Sequence, residues 1–365
     1  MRVARVELRE FRNWERASVD LADGLTVISG PNGAGKTNLL EAVYFGCTGR
    51  SPRTSNEREL VRRGADVARV ELELVDAEGV HRLEIGFEPG EAKRVVLDGS
   101  PLEGPPGLEA RPPVSVFLPE RLELVKGSPG SRRAHLDQLV AALWPARAET
   151  RAAYSRALAQ RNALLARTRA GAASPDALGA WDGELARQGI QLMADRREAV
   201  EGLRPGFAGL GRRLGLPGEA ELRYRPRSAA ESLESLEAEL AERRAADVER
   251  GFTVHGPHRD ELQLLLDGAA LRSYGSQGQQ RVALLALLFA ERELLAERRG
   301  RAPLMLLDDV MSELDADRRL LLADLLRAGG QSLVTATERG HVPGAEASIE
   351  VEAGAVRGPS GALAA

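Results

Sequence analysis

Leu25-Thr26-Val27-Ile28-Ser29 runs directly into Gly30-Pro31-Asn32-Gly33-Ala34-Gly35-Lys36-Thr37. An apolar strand, the pattern G-x-x-x-x-G-K-[ST] and a helix-spaced stretch in that order form a phosphate-binding loop in its required context. Backbone N–H groups of such a loop curl round a phosphate, and Gly33 and Gly35 permit the turn. A helix starting near Lys36 aims its positive dipole end at the same point. Lys36 is expected to reach the β- and γ-phosphates, and the Thr37 hydroxyl to ligate Mg²⁺. From Asn38 onward, Leu39, Leu40 and Val43 share one helical face, as a core-packed helix requires. Lysine occurs only at positions 36, 93 and 126, with arginine used elsewhere. One of the three sits where the loop needs a compact ammonium rather than a planar guanidinium. Residues 30 to 38 are therefore the expected nucleotide-binding set, with ATP and Mg²⁺ as cofactors.

The 365 residues can hold two or three domains. At 43% apolar and 28% charged, the balance is that of a soluble globular protein. A net charge of −4 gives no global attraction to nucleic acid, so any such binding must use local patches. The single Cys47 excludes an internal disulfide and reads as a buried small side chain in a reducing compartment. Met1 to Glu15 has no signal-peptide core, and Val282 to Ala290, the longest apolar stretch, is far short of a membrane span. A soluble, cytoplasmic protein with no membrane partner is expected.

Residues 1 to about 125 read as strand-rich apart from the helix after the loop. Val70, Leu72 and Leu74 alternate with charges, as do Leu83 and Ile85. Val95-Val96-Leu97 precedes the turn Asp98-Gly99. A Pro- and Gly-rich stretch, Pro101 to Pro113, leads to a strand from Val114 to Leu118. From about Ser128 the composition shifts to Ala, Arg, Leu and Glu. Leu136, Leu139, Val140 and Leu143 are helix-spaced, as are Leu233, Leu236 and Leu240. Breaks are expected at Gly171 to Pro175, Pro205-Gly206 and Pro217-Gly218. This segment is too short and too often interrupted for a long coiled-coil arm. Strands return at Phe252 to Val254 and Leu262 to Leu266. A long helix follows from about Gln277 to Arg299, then a strand Leu304 to Leu307, a helix to about Arg327 and a strand Ser332 to Thr335. The tail Gly354 to Ala365 reads as frayed.

Two further motifs carry chemistry. Leu304-Met-Leu-Leu-Asp308-Asp309 is an apolar strand ending in acids, as a parallel strand buried on both faces should be. Its carboxyl end is where an α/β sheet places its ligand. Asp308 fits the acid that holds Mg²⁺, and Asp309 the general base that orients water. Together with Lys36 they form the expected catalytic set, with Thr37 and Asp308 as metal ligands. Standing alone, the pattern is equally a strand running into an acidic helix cap. Ser276-Gln277-Gly278-Gln279-Gln280-Arg281 opens the long helix, with Ser276 as N-cap. Standing alone, it is a capped helix.

The four motifs, with Ser312-Glu313-Leu314-Asp315 as the last, resemble in type and order those of the ATP-binding-cassette ATPases. In that family Ser-x-Gly-Gln points a helix N-terminus at the γ-phosphate held by the other subunit. The resemblance implies that Ser276, Gln277, Gly278 and Gln279 complete a nucleotide site in trans. A transporter's nucleotide-binding subunit and a DNA-repair or chromosome-maintenance head then compete. The insertion between loop and signature favours the second, and Val6 to Trp14 resembles the start of SMC-like heads. Phe11-Arg12-Asn13, the phosphate loop through Glu41, Pro119 to Arg133, Gly256-Pro-His-Arg-Asp260, Ser276 to Arg281 and Leu307 to Asp315 are together similar to the RecF family of bacterial recombination mediators. The expected fold is α/β: an ABC-type (SMC/RecF-like) P-loop ATPase head with a mixed sheet, from residues 1–125 and 251–365, plus an inserted α-helical domain, 126–250.

The resemblance adds Arg12 and Asn13 to the nucleotide-binding set. It implies a homodimer formed on ATP binding, binding of duplex DNA near single-strand junctions, weak ATP turnover, and work with RecO and RecR to load recombinase. Arg50, Arg53, Arg58, Arg62 and Arg63 are the candidate DNA patch, with a solvated face partly neutralised by Glu57 and Glu59 as the alternative. Three departures from the cassette pattern point to slow hydrolysis. Asp309 stands where Glu is usual. No His follows the strand Ser332 to Thr335 until His341. No Gln precedes Gln138, which leaves Glu120 as the substitute for the usual loop glutamine. His255 and His258 are two histidines without further ligands, and are expected to be structural.

Overall fold

The structure is a computed structural model and describes residues 1–102 and 111–357, apart from the side chains of Glu313 and Arg357. It divides into two compact units, Met1–Arg121 with Leu295–Ala365, and Leu122–Leu294.

In the first unit, β1 (Arg2–Phe11), β2 (Trp14–Asp20), β4 (Ala68–Val75), β5 (Val80–Phe87), β6 (Arg94–Leu97) and β7 (Ser100–Pro101) form an antiparallel sheet in the order β2-β1-β4-β5-β6-β7. Apolar residues alternate inward along these strands: Val70, Leu72 and Leu74 on β4, Leu83 and Ile85 on β5, all fully buried. The turn at Asp98 (φ 50°) and Gly99 (φ 81°) has the left-handed pair of conformations that a two-residue hairpin needs.

A second sheet takes the order β15-β14-β3-β13-β12-β8, from β3 (Leu25–Ser29), β8 (Val114–Phe117), β12 (Leu304–Leu307), β13 (Ser332–Ala336), β14 (Ala347–Glu352) and β15 (Ala355–Arg357). Its strands are parallel except for the antiparallel edge strand β15. Every residue of β3, β12 and β13 is buried, which is why these strands hold apolar residues with only Ser and Thr among them. Helix α1 (Lys36–Thr48) packs in one core with strands of both sheets, so it is buried nearly all round: Leu39, Leu40, Val43, Phe45 and Cys47. Burial pushes the Cys47 thiol up to about 12. Gly46 makes the approach to β4 possible, since a Cβ there would lie 2.7 Å from Leu72. The expected fraying of the tail does not hold for Ala355–Arg357, which pair with β14. Residues 358–365, and most of the Pro- and Gly-rich stretch before β8, lie outside the described residues.

The second unit holds α2 (Glu123–Lys126), α3 (Pro129–Leu143), α4 (Ala148–Arg169), α5 (Leu178–Arg213), α6 (Leu233–Glu242) and α7 (Arg244–Arg250). It also holds a three-stranded sheet in the order β11-β10-β9, from β9 (Ala220–Arg225), β10 (Glu261–Leu266) and β11 (Ala269–Ala270), a one-turn α8 (Leu271–Tyr274) and most of α9 (Gln277–Arg299). Three sequence expectations need correction here. The break at Pro205-Gly206 does not occur, because α5 runs through it for 36 residues. Gly202 and Gly206 on either side let α5 approach α9 closely: a Cβ on either would meet Leu294 or Ala290 at 3.1–3.2 Å. That packing, with Leu203, Phe207 and Leu210 buried, offsets the roughly 3 kcal/mol that an internal proline costs.

The strand expected at Phe252 to Val254 is also absent. Thr253 is buried there and bonded through its N–H and hydroxyl to Asn162 Oδ1, at 2.8 and 2.7 Å. The insertion is not purely helical either. Ala220–Arg225 forms β9, paired along its whole length with β10 (Glu261–Leu266). That pairing keeps residues 261–266 with the helices, and the compact division falls at Leu122 and Leu294, not at 126 and 250.

Candidate nucleotide site and basic loop

β3 ends at Ser29, and the phosphate loop carries the chain from it to α1. Three glycines set its path, at φ 148° for Gly30, 80° for Gly33 and 114° for Gly35. A Cβ on Gly30 would lie 2.1 Å from the Val351 carbonyl, and one on Gly35 would lie 2.6 Å from Asn13 Nδ2. Both positions are therefore closed to other residues by sterics as well as by backbone conformation. The loop is tied at Ala34, whose carbonyl accepts from Asn13 Nδ2 at 3.2 Å and from the Gly354 N–H at 3.1 Å. Lys36 Nζ donates to the carbonyls of Gly30 (2.7 Å) and Pro31 (2.9 Å), so the ammonium is held within the loop. Burial lowers its pKa, opposed by Asp309 and Asp308.

Thr37, at the start of α1, meets Asp308, at the carboxyl end of β12. The Thr37 hydroxyl donates to the Asp308 carboxylate, 2.9 Å from either oxygen. Thr335, near the end of β13, donates to Asp308 Oδ1 at 2.7 Å and accepts the Asp309 N–H at 2.9 Å. Burial raises the Asp308 pKa, and the Thr335 and Thr37 hydroxyls oppose it. A hydroxyl and a carboxylate facing one another are the hard oxygen donors that Mg²⁺ takes together with substrate phosphates. Asp309 differs from its neighbour: it is exposed and sits at φ 48°, a left-handed conformation that few residues other than glycine adopt.

Arg12 and Asn13 stand beside the loop. Asn13 Oδ1 accepts from Asn38 Nδ2 at 2.8 Å. Arg12 grips Glu41 with Nε at 2.8 Å and Nη2 at 2.7 Å. The Glu41 side chain has no solvent exposure and also accepts from Ser51 Oγ at 2.6 Å and Arg53 Nη1 at 3.2 Å. Sequence reasoning passed over Glu41 and Thr335. Their signals were weak: an acid one turn beyond Thr37 on a helix otherwise buried, and a hydroxyl near the end of an apolar strand. Glu120, the proposed substitute for the loop glutamine, is half exposed and 3.9 Å from Arg53 Nε, and His341, the first histidine after β13, lies 3.5 Å from the Thr337 hydroxyl.

The candidate DNA arginines separate into two kinds. Arg53 is committed to Glu41 and Asn38, and Arg62 to Glu10 at 2.5 Å. Arg50, Arg58 and Arg63 are exposed, with no carboxylate partner among the described residues. In the second unit, Ser276 and Gln279 cap the opening of α9 reciprocally. The Ser276 hydroxyl accepts the Gln279 N–H at 3.2 Å, and Gln279 Oε1 accepts the Ser276 N–H at 2.7 Å. Ser276, Gln277 and Gly278 are left exposed. His258 is held between the Tyr154 hydroxyl (Nδ1, 2.8 Å) and the Thr253 carbonyl (Nε2, 3.0 Å), and His255 bonds Glu239 at 2.7 Å. No group of three His, Cys, Asp or Glu suited to a metal occurs among the described residues. No helix among them is long and apolar enough to cross a membrane.

A family model described as an AAA domain matches residues 5–124. Over 349 residues the chain is 41% identical to the DNA replication and repair protein RecF of Anaeromyxobacter sp. (strain Fw109-5), with 93% of each chain covered. It is 39% identical to the same protein of Streptomyces avermitilis, over 94% of this chain and 95% of that one. Among solved structures, that of the recombination mediator protein RecF-ATPrS in the RecFOR pathway matches at TM-score 0.88 and 28% identity, over 98% of both chains. An Smc head bound to the C-winged helix domain of ScpA matches at TM-score 0.61 and 17% identity, covering 100% of this chain and 98% of that one, a likeness of fold. On the identity and coverage of its relatives, the chain belongs to the RecF family of DNA replication and repair proteins.

Proposed function

We propose that the chain is an ATP-operated switch of recombinational repair that closes as a homodimer on DNA near single-strand gaps. Lys36, Thr37 and Asp308 of one copy would hold the nucleotide, and Ser276, Gln277 and Gly278 of a second copy would complete its site. Thr37 and Asp308 would hold Mg²⁺, which neutralises phosphate charge when bound. Asp309 orients the attacking water; as the shorter acid it reaches less far than glutamate, so turnover is slow and ATP sets the lifetime of the dimer. Exposed Arg50, Arg58 and Arg63 contact DNA phosphates, and RecR and RecO are the expected partners in loading recombinase.

The observation that supports this reading is that Thr37 meets Asp308 beside the phosphate loop while Ser276, Gln277 and Gly278 are presented capped and exposed. An exposed helix N-terminus with no acid in its first turn is suited to a phosphate supplied from outside. Membership of a repair family, together with the short acid at position 309, goes against a rapidly cycling transporter subunit. Sedimentation with and without ATP and Mg²⁺ tests the proposal. Wild type is expected to pass from monomer to dimer, and Ser276→Arg to remain a monomer while still binding ATP. A Ser276→Arg chain that dimerises normally would sink the sandwich.

A further inference from the structure

The second unit carries a basic cavity that no part of the nucleotide site uses. It measures about 370 Å³ and is lined by Arg227, Arg250, Arg259 and Val254. The three arginines come from three different places: the segment after β9, the last residue of α7, and the end of the single turn Pro257–Arg259. All three are exposed, and none has a carboxylate partner among the described residues.

The backbone beneath them is fixed. The Arg227 N–H donates to Asp260 Oδ1 at 2.7 Å, and the Arg259 N–H to the Gly256 carbonyl at 2.9 Å. Asp260 is fully buried and is itself held by the Tyr224 hydroxyl and by Arg196 at 3.1 Å. The acids of these same segments are consumed inward. Asp247 pairs with buried Arg161 at 2.7 Å, Asp260 with Arg196, and Glu261 with Arg132 at 2.7 Å. Glu249, next to Arg250 in the chain, does not line the cavity. The outer guanidiniums are thus left without compensation, and three like charges round one space repel unless an anion joins them.

Each guanidinium offers five N–H donors in a fork that matches phosphate oxygens. The only apolar lining residue is Val254, which argues against a small hydrophobic ligand. We propose that this cavity binds phosphates of a nucleic-acid backbone, as a second anchor separate from Arg50, Arg58 and Arg63. The proposal rests on the DNA-binding reading above.

Fluorescence anisotropy of a labelled gapped duplex, with the full chain, ATP and Mg²⁺ across a salt series, tests it. The double variant Arg227→Glu/Arg259→Glu is expected to weaken binding about tenfold and to lower the slope of log K against log salt by about 2, one for each phosphate that is no longer neutralised. ATP binding reports folding separately; if charge reversal disturbs it, Arg227→Gln/Arg259→Gln is read instead, with the same slope expected. Wild type that binds the duplex, with a double variant of unchanged affinity and slope, overturns the cavity alone. Wild type that binds no nucleic acid overturns the DNA reading as well. Inorganic phosphate gives the remaining arm: if it raises the melting temperature of wild type but not of the variant while duplex binding is equal, the cavity takes free anions and the proposal fails.

Discussion

Glu41→Gln is the sharpest perturbation of the nucleotide site that leaves every proposed ligand in place. The glutamate is fully buried and accepts four hydrogen bonds from three side chains. Arg12 Nη2 and Ser51 Oγ meet one oxygen; Arg12 Nε and Arg53 Nη1 meet the other. An amide keeps the shape but sets an NH₂ against an arginine donor whichever way it turns, so charge and at least one bond are lost together. Removing one member of a buried ion pair costs about 3–5 kcal/mol. Arg12 and Arg53 keep some access to water, at 16% and 29% exposure, which reduces this to about 2–4 kcal/mol. In a unit of this size each kcal/mol moves the midpoint by about 2–4 °C, so calorimetry should show a fall of roughly 4–16 °C. Arg53→Ala, which removes the longer bond to Glu41 and an exposed one to Asn38, should cost about 1 kcal/mol. ATP affinity should fall with Glu41→Gln, because Arg12 precedes Asn13, the side chain that ties the loop at Ala34. A Glu41→Gln chain melting within about 2 °C of wild type would refute the reasoning, since the buried charge would then be dispensable.

Two further outcomes can be measured directly. Asp309→Asn should leave ATP binding intact and lower single-turnover hydrolysis by at least about a hundredfold, the lower range for loss of a general base, with a longer-lived ATP-bound dimer. An equal or faster rate in a quench-flow assay contradicts the role given to Asp309. For His258, burial holds the imidazole down to about 4 against an ordinary 6.5, so between those values the unfolded chain binds the extra proton. Stability therefore rises with pH across pH 4 to 6.5 and is lost as pH falls through it, by at most about 3 kcal/mol. Urea unfolding should show His258→Gln with a flatter profile in this window, and an unchanged profile rules the histidine out as its source.

What could be read from sequence was what neighbours in the chain decide. The loop and its strand, the acids ending Leu304–Leu307, and the helix from Gln277 each follow from a local pattern of apolar spacing, glycine and capping. Misreadings arose where distant residues overruled local preference. Pro205 should end a helix, but packing of Gly202 and Gly206 against α9 continues it. Ala220–Arg225 alternates well enough for a strand, yet a strand needs a partner, and β10 begins only at Glu261. Glu41 looked like an ordinary acid on a helix because its partners at positions 12, 51 and 53 converge only in space.

Asp308 and Asp309 show the same division within one site. Their order in the chain implies an acid for metal and an acid for water, but not how the two are joined. The joint is Thr335, which donates to Asp308 and accepts the Asp309 N–H. Asp309 also takes a left-handed backbone conformation, one that aspartate enters more readily than most residues. Any displacement of the Asp308 side chain therefore reaches the backbone of Asp309 through the Thr335 hydroxyl as well as through the peptide bond between them. If Asp308 holds the metal and Asp309 the water, as proposed above, the two roles are joined at Thr335, an arrangement suited to a switch that registers bound ATP more than it turns it over.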